Sequence, residues 1–334
     1  MPLHHSSKRT TDRVSRSSAS RQAHVVVITH TPNLLRCTLL GVACQTHRPD
    51  SITLSCDSDD TAIEQVAREA CDEFSIEFTL ILRPPTGTIR MSQTRNNAVR
   101  ELLRANPVDD AWLLFLDGDC VPEPSLIEKH LARARNRRLV IGWRFDLTES
   151  QTDAFDEQAM RDGRRPVQPS DEQWRSVRKR HMRYLYNAFL KRFGLTKQHK
   201  PKMIGAHMSV SLRDFRAING FDESFEGWAQ EDDNLNRRLY LSGCRPIIAV
   251  RDIHCFHQYH LTRAPGDWND SSNAHRLDEP CQIRAEFGLD NPMDQPPIRV
   301  LTIKPGHTLS QTDAGPRRDS SPHQMPKTSR AHAL

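Results

Sequence analysis

The chain has 334 residues, of which 27% are charged, and a formal net charge of +5. No apolar stretch approaches the roughly 18 residues that a membrane-spanning helix needs, and the polar N-terminus predicts no secretory signal. The positive charge lies at the two ends, since residues 1–22 carry +4 and residues 305–334 carry +2, which leaves about −1 between them. This distribution argues against a nucleic-acid-binding core.

Both ends are rich in Ser, Thr, Arg, His and Pro and poor in apolar residues. This composition predicts disordered tails over residues 1–22 and 305–334. Eight cysteines are spread through the chain without a C-x-x-C pair. In a protein of this size they favour a reducing, cytoplasmic compartment over a disulfide framework or a zinc ribbon.

Between residues 24 and 142, strand and helix signals alternate. The alternation predicts an α/β fold with a mostly parallel sheet flanked by helices, and ligands at the carboxyl ends of the strands. No G-x-G-x-x-G follows the first strand and no P-loop motif occurs, which argues against a dinucleotide oxidoreductase and a P-loop enzyme. The predicted elements are strands at 24–29, 51–56, 77–82 and 111–116, and helices at 34–44, 61–74 and 93–105.

Three polar clusters, at 29–33, 57–60 and 117–119, follow apolar strands and should gather along one edge of the sheet. In the third, Asp117 and Asp119 flank a single glycine at the end of a buried strand. Two carboxylates there make an oxygen site for a divalent cation that holds a phosphate ester. The alternative is an ordinary Asp-Gly turn.

The second half begins with a short apolar strand at 139–143, followed by a charged stretch. An amphipathic basic helix is predicted over 174–193. Its apolar residues favour a core-facing stripe with a solvated opposite face, and contact with a membrane surface or an acceptor is the alternative. The apolar residues are Trp174, Val177, Met182, Leu185, Phe189 and Phe193.

Two carboxylates, Glu231 and Asp232, begin a helix that is predicted to run to about Leu241. Capping of the helix N-terminus is the simple explanation for them. It does not explain Gly227-Trp228 just before, a pair that suits the apolar face of a sugar beside acid-base chemistry. Downstream, an apolar strand carries histidines at a spacing of three, which predicts at least one metal ligand. These histidines are His254, His257 and His260.

Taken in order, these motifs resemble the GT-A glycosyltransferases, specifically bacterial family 2 enzymes whose C-terminal segment is similar to that of β-1,4-galactosyltransferases and chondroitin polymerase. The resemblance covers about residues 24–262, and the order of the motifs is far more specific than any one of them. The matching pieces are Pro32-Asn33 with Arg36, Gln45-Thr46-x-x-Pro49, Cys56-Asp-Ser-Asp-Asp60, Arg95-Asn96-x-Ala98, Asp117-Gly-Asp119, Asn219-Gly-Phe-Asp222, Gly227-Trp228 with Glu231-Asp232, and His257.

The resemblance implies a UDP-sugar donor and a set of residues that bind it. Asp57 would hydrogen-bond the uracil with Asp59 nearby, and Arg95 would lie against the nucleotide. Asp117 would contact the ribose or the metal. Thr29 and Gly118, at the ends of their strands, complete this expected donor site.

The same resemblance implies a Mn²⁺ or Mg²⁺ site and a catalytic base. Asp119 would bind the cation directly, Asp117 would assist, and His257 would be a further protein ligand, with His254 or His260 as substitutes. Asp232 would deprotonate the acceptor hydroxyl, with Glu231 as the competing candidate. Gly227 and Trp228 would contact the sugar or the acceptor.

Two positions depart from the family pattern. The usual G-W-G-x-E-D has Ala229 at its third position here, which predicts a stiffer loop and an altered sugar preference. The first strand ends in Thr29-His-Thr-Pro-Asn33, where the family commonly has Pro-Thr-aromatic-Asn.

The sequence therefore predicts a single catalytic GT-A domain that transfers a sugar, with inversion, to an acceptor hydroxyl in cell-surface polysaccharide or glycan synthesis. The partners would be a UDP-sugar and a glycan or lipid-linked acceptor, with no nucleic acid and with possible peripheral contact to anionic membrane at the inner face. Two alternatives are a sugar nucleotidyltransferase and a noncatalytic glycan-binding protein. The first would need a Gly-rich triphosphate loop after the first strand, and none is present. The second would be expected to have lost Asp119, Asp232 or His257, and all three are present. The predicted regions are a basic tail (1–22), a nucleotide-sugar half (23–142), an acceptor-side insertion with the basic helix (143–200), an acceptor and catalytic half (201–270), an extension (271–304) and a second tail (305–334).

Overall fold

The computed structural model describes residues 21–108, 110–261 and 271–306. Within these residues, strands and helices alternate through the first half, and longer helical stretches follow in the second. The strands are β1 (Ala23–Thr29), β2 (Ser51–Cys56), β3 (Phe78–Leu82), β4 (Trp112–Asp117), β5 (Cys120–Pro122), β6 (Arg138–Ile141), β7 (Trp143–Asp146), β8 (His207–Ser211), β9 (Arg245–Ile248), β10 (His254–His257) and β11 (Arg299–Ile303). The helices are α1 (Leu35–Ala43), α2 (Thr61–Phe74), α3 (Met91–Arg104), α4 (Leu126–Arg133), α5 (Glu149–Asp153), α6 (Glu157–Arg161), α7 (Asp171–Lys191), α8 (Leu212–Ala217) and α9 (Glu231–Leu241).

An eight-stranded sheet in the order β11-β3-β2-β1-β4-β8-β6-β9 forms the centre of the fold. Strands β3, β2, β1 and β4 are parallel to one another, which confirms the predicted mostly parallel α/β sheet. Strand β8 runs antiparallel between β4 and β6, and β11 runs antiparallel along β3. The second half of the chain therefore completes the same sheet.

The central residues of strands β1 and β4 are apolar on both faces because both faces of the sheet are covered. Val26 and Phe115 belong to the core on one face, while Val25 and Leu114 belong to the core on the other. Side chains alternate between the faces along each strand, so a continuous apolar run fills two cores.

The carboxyl ends of β1, β2 and β4 lie side by side. Thr29 pairs with Cys56, and Ile28 pairs with Asp117. Residues that follow these strands are therefore brought to one edge of the sheet, as predicted from their positions after apolar runs.

The predicted strand at 139–143 is wrong as a single element. The chain forms β6 in the large sheet and then β7 in a second sheet, with the order β5-β10-β7. Gly142 separates them, and a Cβ there would lie 2.3 Å from Cε1 of His207. Only glycine fits where the chain passes from one sheet to the other.

Helix α7 begins three residues earlier than predicted, at a capping box in which the Ser170 and Gln173 side chains bond each other's backbone N–H groups. Its buried residues are Val177 and Tyr184. The prediction of one core-facing stripe is wrong for its C-terminal part, because the helix buries one face and leaves other apolar residues in solvent. These exposed residues include Met182, Leu185, Phe189 and Phe193.

Among the described residues, no helix is both long enough and apolar enough to cross a membrane. All eight cysteines are free. The predicted tails lie outside the described residues except for 21–22 and 305–306. The division of the chain into functional regions stays a prediction.

Candidate functional site

The Asp117-Gly118-Asp119 segment is a tight turn that joins β4 to β5. Gly118 N donates to the Ile28 carbonyl at 2.7 Å, and a Cβ on Gly118 would lie 2.8 Å from Cβ of Thr29. The glycine is thus required by the close approach of β1. The turn separates the two aspartates into different surroundings.

Asp119 lies beside two histidines, His257 at the end of β10 in the second sheet and His260 three residues later. We call these three residues the Asp119 cluster. Its Oδ2 is 3.6 Å from Nε2 of His257 and 3.1 Å from Nε2 of His260. One ligand atom from each residue lies within 4.8 Å of the others. Asp146 Oδ1 is 3.3 Å from Nδ1 of His257 and orients that ring.

Charge complementarity within the Asp119 cluster is strong. Burial disfavours the charged form of Asp119, but hydrogen bonds from His257 and His260 outweigh it and hold the pKa of the carboxyl below its usual range. Burial likewise opposes the charged form of His257, yet its bonds to Asp119 and Asp146 raise its pKa to about 9. The donor set of one carboxylate and two imidazoles fits a divalent transition cation.

Two other predicted metal ligands lie elsewhere among the described residues. His254 is fully buried, and its Nε2 is 3.1 Å from the Val250 carbonyl, so its side chain is used in the core. Asp117 accepts a hydrogen bond from Arg95 at 3.0 Å and is not part of the Asp119 cluster. His260, predicted only as a substitute, is the histidine that joins His257.

Arg95, on α3, connects the strand edge to the start of α9. Its guanidinium donates to Asp117 at 3.0 Å and to Glu231 at 3.1 Å. The side chain is buried, and a Cβ on Gly205 would lie 2.7 Å from its Nη2. In the structure Arg95 links two carboxylates, and its predicted contact with the nucleotide stays a prediction.

The two carboxylates at the start of α9 have different surroundings. Glu231 is buried on Arg95, whereas Asp232 is half-buried and accepts from Gly205 N at 3.3 Å and from Asp233 N at 2.7 Å. Burial and then the neighbouring Asp232 charge raise the pKa of Glu231. Burial and then the Asp233 charge raise the pKa of Asp232. Of the two, Asp232 is the more open to solvent.

The chain enters α9 through a left-handed loop. Gly227, Ala229 and Gln230 have φ of 78°, 84° and 74°. For Ala229 this conformation is costly, and glycine is the residue that adopts it without strain. Trp228 lies half-buried in this loop, and its carbonyl accepts from Ser271 Oγ at 2.8 Å.

The predicted uracil contact, Asp57, follows β2 at the same sheet edge. One oxygen pairs with the buried Arg83, and the other accepts from Arg90 N at 2.7 Å. Asp59 is exposed two residues further on. Sequence analysis missed both arginines, although Arg83 directly follows a strand and could have been recognised by that position.

The Asn-Gly-Phe-Asp motif has a structural role that the sequence did not reveal. Asn96 of α3 donates to the Phe221 carbonyl at 2.9 Å and accepts from Phe221 N at 3.0 Å. Gly220, with φ of 70°, lies so close that a Cβ would be 2.6 Å from Asn96 Oδ1. Arg95 and Asn96 are adjacent on α3. Arg95 therefore bonds the start of α9, and Asn96 bonds the turn at Phe221.

Two family models match the chain. The one described as "Glycosyltransferase like family 2" matches residues 21–212, which is more than half of the chain. The one described as "N-terminal domain of galactosyltransferase" matches residues 188–263. Together they cover the strand edge, the Asp119 cluster and the start of α9.

Similar proteins include β-1,4-galactosyltransferase 3 of Bos taurus and of Homo sapiens, each 26% identical over 141 residues, which are 39% of this chain and 34% of the relative. The matched part thus spans about a third of the length of these curated relatives. Among solved structures, GalNAc-T7 with UDP, GalNAc and Mn²⁺ is similar with a TM-score of 0.50 and 15% identity, covering 78% of this chain and 48% of that one. This last likeness is one of fold.

Proposed function

The chain belongs to the glycosyltransferase-like family 2 and has the GT-A fold that its motifs predict, and from this premise we propose that it is a metal-dependent, inverting glycosyltransferase that uses a UDP-sugar. The observation that carries the proposal is the Asp119 cluster, whose aspartate stands two residues after Asp117, the carboxylate that Arg95 links to Glu231. Family membership favours glycosyl transfer over nucleotidyl transfer. The presence of Asp119, His257 and Asp232 together favours a catalytic protein over a glycan-binding one.

Asp119, His257 and His260 would hold the divalent cation. Two nitrogen donors favour Mn²⁺ over Mg²⁺, which prefers oxygen ligands. When bound, the cation would supply a Lewis acid that neutralises the charge of the departing nucleoside diphosphate. Asp146, bonded to the far nitrogen of His257, would keep that ring in its ligating orientation.

Asp232 would act as the general base toward the acceptor hydroxyl. Its half-buried carboxylate is accessible, and its raised pKa improves its ability to take a proton. A single displacement with this base inverts the configuration of the transferred sugar. Glu231 would hold Arg95 in place and, through it, Asp117.

The donor would lie along the strand edge with its uracil near Asp57. The two oxygens of Asp57 already accept from Arg83 and Arg90 N, but each carboxylate oxygen can accept a second bond. Thr29, Asp59, Asp117 and the backbone at Gly118 would complete the donor site, while Gly227 and Trp228 would contact the sugar or acceptor. The acceptor would be a glycan or lipid-linked sugar in cell-surface polysaccharide synthesis, in the cytoplasm, where the cysteines stay reduced.

The test is UDP release from a panel of nucleotide sugars, measured with Mn²⁺, with Mg²⁺ and with EDTA. We expect one UDP-sugar to be preferred, Mn²⁺ to support the fastest turnover, and EDTA to abolish it. The Asp119→Asn chain is the matched control for cation-dependent release. Undiminished turnover in EDTA would contradict the metal assignment, and release of pyrophosphate from UTP would point to nucleotidyl transfer instead.

A further inference from the structure

The solvent side of α7 carries an apolar surface that the proposed chemistry does not use. Six of the thirteen exposed large apolar side chains described in the structure lie within residues 182–195, and they are between 43% and 68% exposed. Such clustering is unusual, because exposed apolar residues are normally scattered. We call five of them the α7 stripe: Met182, Leu185, Tyr186, Phe189 and Phe193.

The α7 stripe follows one face of the helix and ends with Phe193 in the turn just beyond Lys191. At about 100° per residue, its positions fall within an arc of about 100°. Val177 and Tyr184, which are buried against the core, lie on the opposite side of the helix. The rings of Phe189 and Phe193 are in contact, with centroids 5.2 Å apart. Helix α7 is thus apolar on two faces, and only one is covered by the described residues.

The surroundings of the α7 stripe are strongly basic. Residues 175–202 contain ten Lys or Arg and no Asp or Glu, within a central region whose net charge is close to neutral. This charge affects the buried His199, because burial and then four neighbouring lysines lower its pKa to about 3. The basic residues are Arg175, Arg178, Lys179, Arg180, Arg183, Lys191, Arg192, Lys197, Lys200 and Lys202.

From this combination we infer that the α7 stripe docks on an anionic phospholipid surface. A helix with an aromatic and aliphatic face rimmed by Lys and Arg lies in the interfacial plane of such a membrane, and the basic rim adds attraction to its headgroups. A nucleic-acid partner would use the basic residues and the aromatic rings but not the aliphatic side chains of Met182 and Leu185. The chain's own ends are poor occupants, because residues 1–20 and 307–334 both carry net positive charge.

The end of α7 and the segment that follows the α7 stripe contact α9, the helix that begins with Glu231 and Asp232. Asn236 of α9 donates to the carbonyls of His199 and Pro201 at 2.7 and 2.8 Å. The Lys191 ammonium lies 4.0 Å from the ring centroid of Tyr240, also on α9. Membrane contact would therefore hold α9 at a set distance from the lipid surface. Only this last consequence, access to a lipid-linked acceptor, rests on the proposed function.

The test is sedimentation of the full chain with vesicles of phosphatidylcholine alone and with vesicles that contain about one third phosphatidylglycerol, at low and high salt. We expect binding to the anionic vesicles only, weakened by salt. The variant Phe189→Ser/Phe193→Ser should bind at least about tenfold more weakly. The variant Arg178→Gln/Lys179→Gln should lose roughly fivefold per charge.

The matched control is Val108→Ser/Ile283→Ser, which removes two exposed apolar residues elsewhere and should bind as the unchanged chain does. Equal binding by the Phe189/Phe193 variant, with an unchanged thermal midpoint, would overturn the inference. So would a dimer in light scattering that this variant converts to a monomer, because the stripe would then pair two copies of the chain. Preference for single-stranded DNA over anionic vesicles would also overturn it. None of these readouts depends on sugar transfer.

Discussion

Asp119 and Asp232 are both aspartates of the proposed site, yet their surroundings shift their acidities in opposite directions. Two histidines beside Asp119 outweigh its burial and keep its pKa below the usual range. Burial and the charge of Asp233 raise the pKa of Asp232. One carboxylate is thereby suited to stay ionised beside a cation, and the other to accept a proton near neutral pH.

The backbone that holds each aspartate differs as well. Asp119 follows a glycine in a tight turn between two paired strands, where Gly118 is required by the close approach of Thr29. Asp232 stands in the first turn of α9, after a loop in which Ala229 has a positive φ. The proposed cation site is thus built on the end of a sheet, and the proposed base on a helix whose entry is strained. Four changes test this contrast, from the largest expected effect to the smallest.

Replacing Asp119 by Asn should have the largest effect. It removes the only carboxylate of the Asp119 cluster, so both donor affinity and turnover should fall, with a loss of about 10⁴ in kcat/KM, or about 5.5 kcal/mol. Kinetics with titrated Mn²⁺ measure the loss of turnover, and calorimetric titration with UDP measures the loss of donor affinity. Asp146→Asn, which weakens the contact with the far nitrogen of His257 and the ion pair with Arg144, should cost about 10–100-fold in cation affinity. Unchanged UDP binding in Asp119→Asn would contradict the assignment of Asp119 as a cation ligand.

Replacing Asp232 by Asn should lower kcat by roughly 10²–10⁴ while UDP-sugar affinity stays nearly intact, since it removes a base and no donor contact. Glu231→Gln should instead lower the free energy of unfolding by about 1–3 kcal/mol, because Glu231 is the buried partner of Arg95. Single-turnover rates, donor titrations and thermal unfolding separate the two. Near-normal turnover in Asp232→Asn with inactive Glu231→Gln would assign the base to Glu231.

The pH dependence of turnover tests the raised pKa of Asp232. Because the pKa of Asp232 is raised, kcat should fall with decreasing pH at a value above that of an ordinary aspartate. The positive charge of Lys202 lowers the pKa of Asp232, so Lys202→Met should move this acid limb to higher pH, by roughly 0.5–1 unit. Lys304→Met, which removes a lysine paired with Glu77, is the control. An acid limb that shifts downward would contradict the assignment of Asp232.

Ala229→Gly should have the smallest effect. Glycine relieves the positive φ of 84° but loses a buried methyl group, so the expected gain is about 0.5 kcal/mol in the free energy of unfolding. Chemical denaturation measures it, with Ala188→Gly in the last turn of α7 as a control that should destabilise by about 0.5 kcal/mol. A less stable Ala229→Gly chain would show that packing of the methyl outweighs the strain.

The sequence was most informative where local pattern and burial agree. The strands at 24–29 and 51–56 and the helix at 61–74 were predicted within one residue, because apolar runs and capping residues are local signals. The proximity of Thr29, Asp57 and Asp117 also followed from local pattern, since parallel strands end at one edge. The Asp119, Asp232 and His257 roles came from motif order, and they stay predictions.

What only the tertiary structure decided depends on contacts between distant residues. Whether His254 or His260 joins His257 depends on the side of β10 that each occupies and on the turn beyond it. The link from Arg95 to Glu231 spans 136 residues of sequence, so no local pattern could show it.

The sequence by itself determined the alternation of strand and helix, the edge where the polar clusters meet, and the presence of an amphipathic α7. The tertiary structure decided which face of α7 is covered. Val177 and Phe189 are both apolar, but Val177 is buried against the core and Phe189 is exposed. Hydrophobicity is a property of the residue, whereas burial depends on what the rest of the chain places against it.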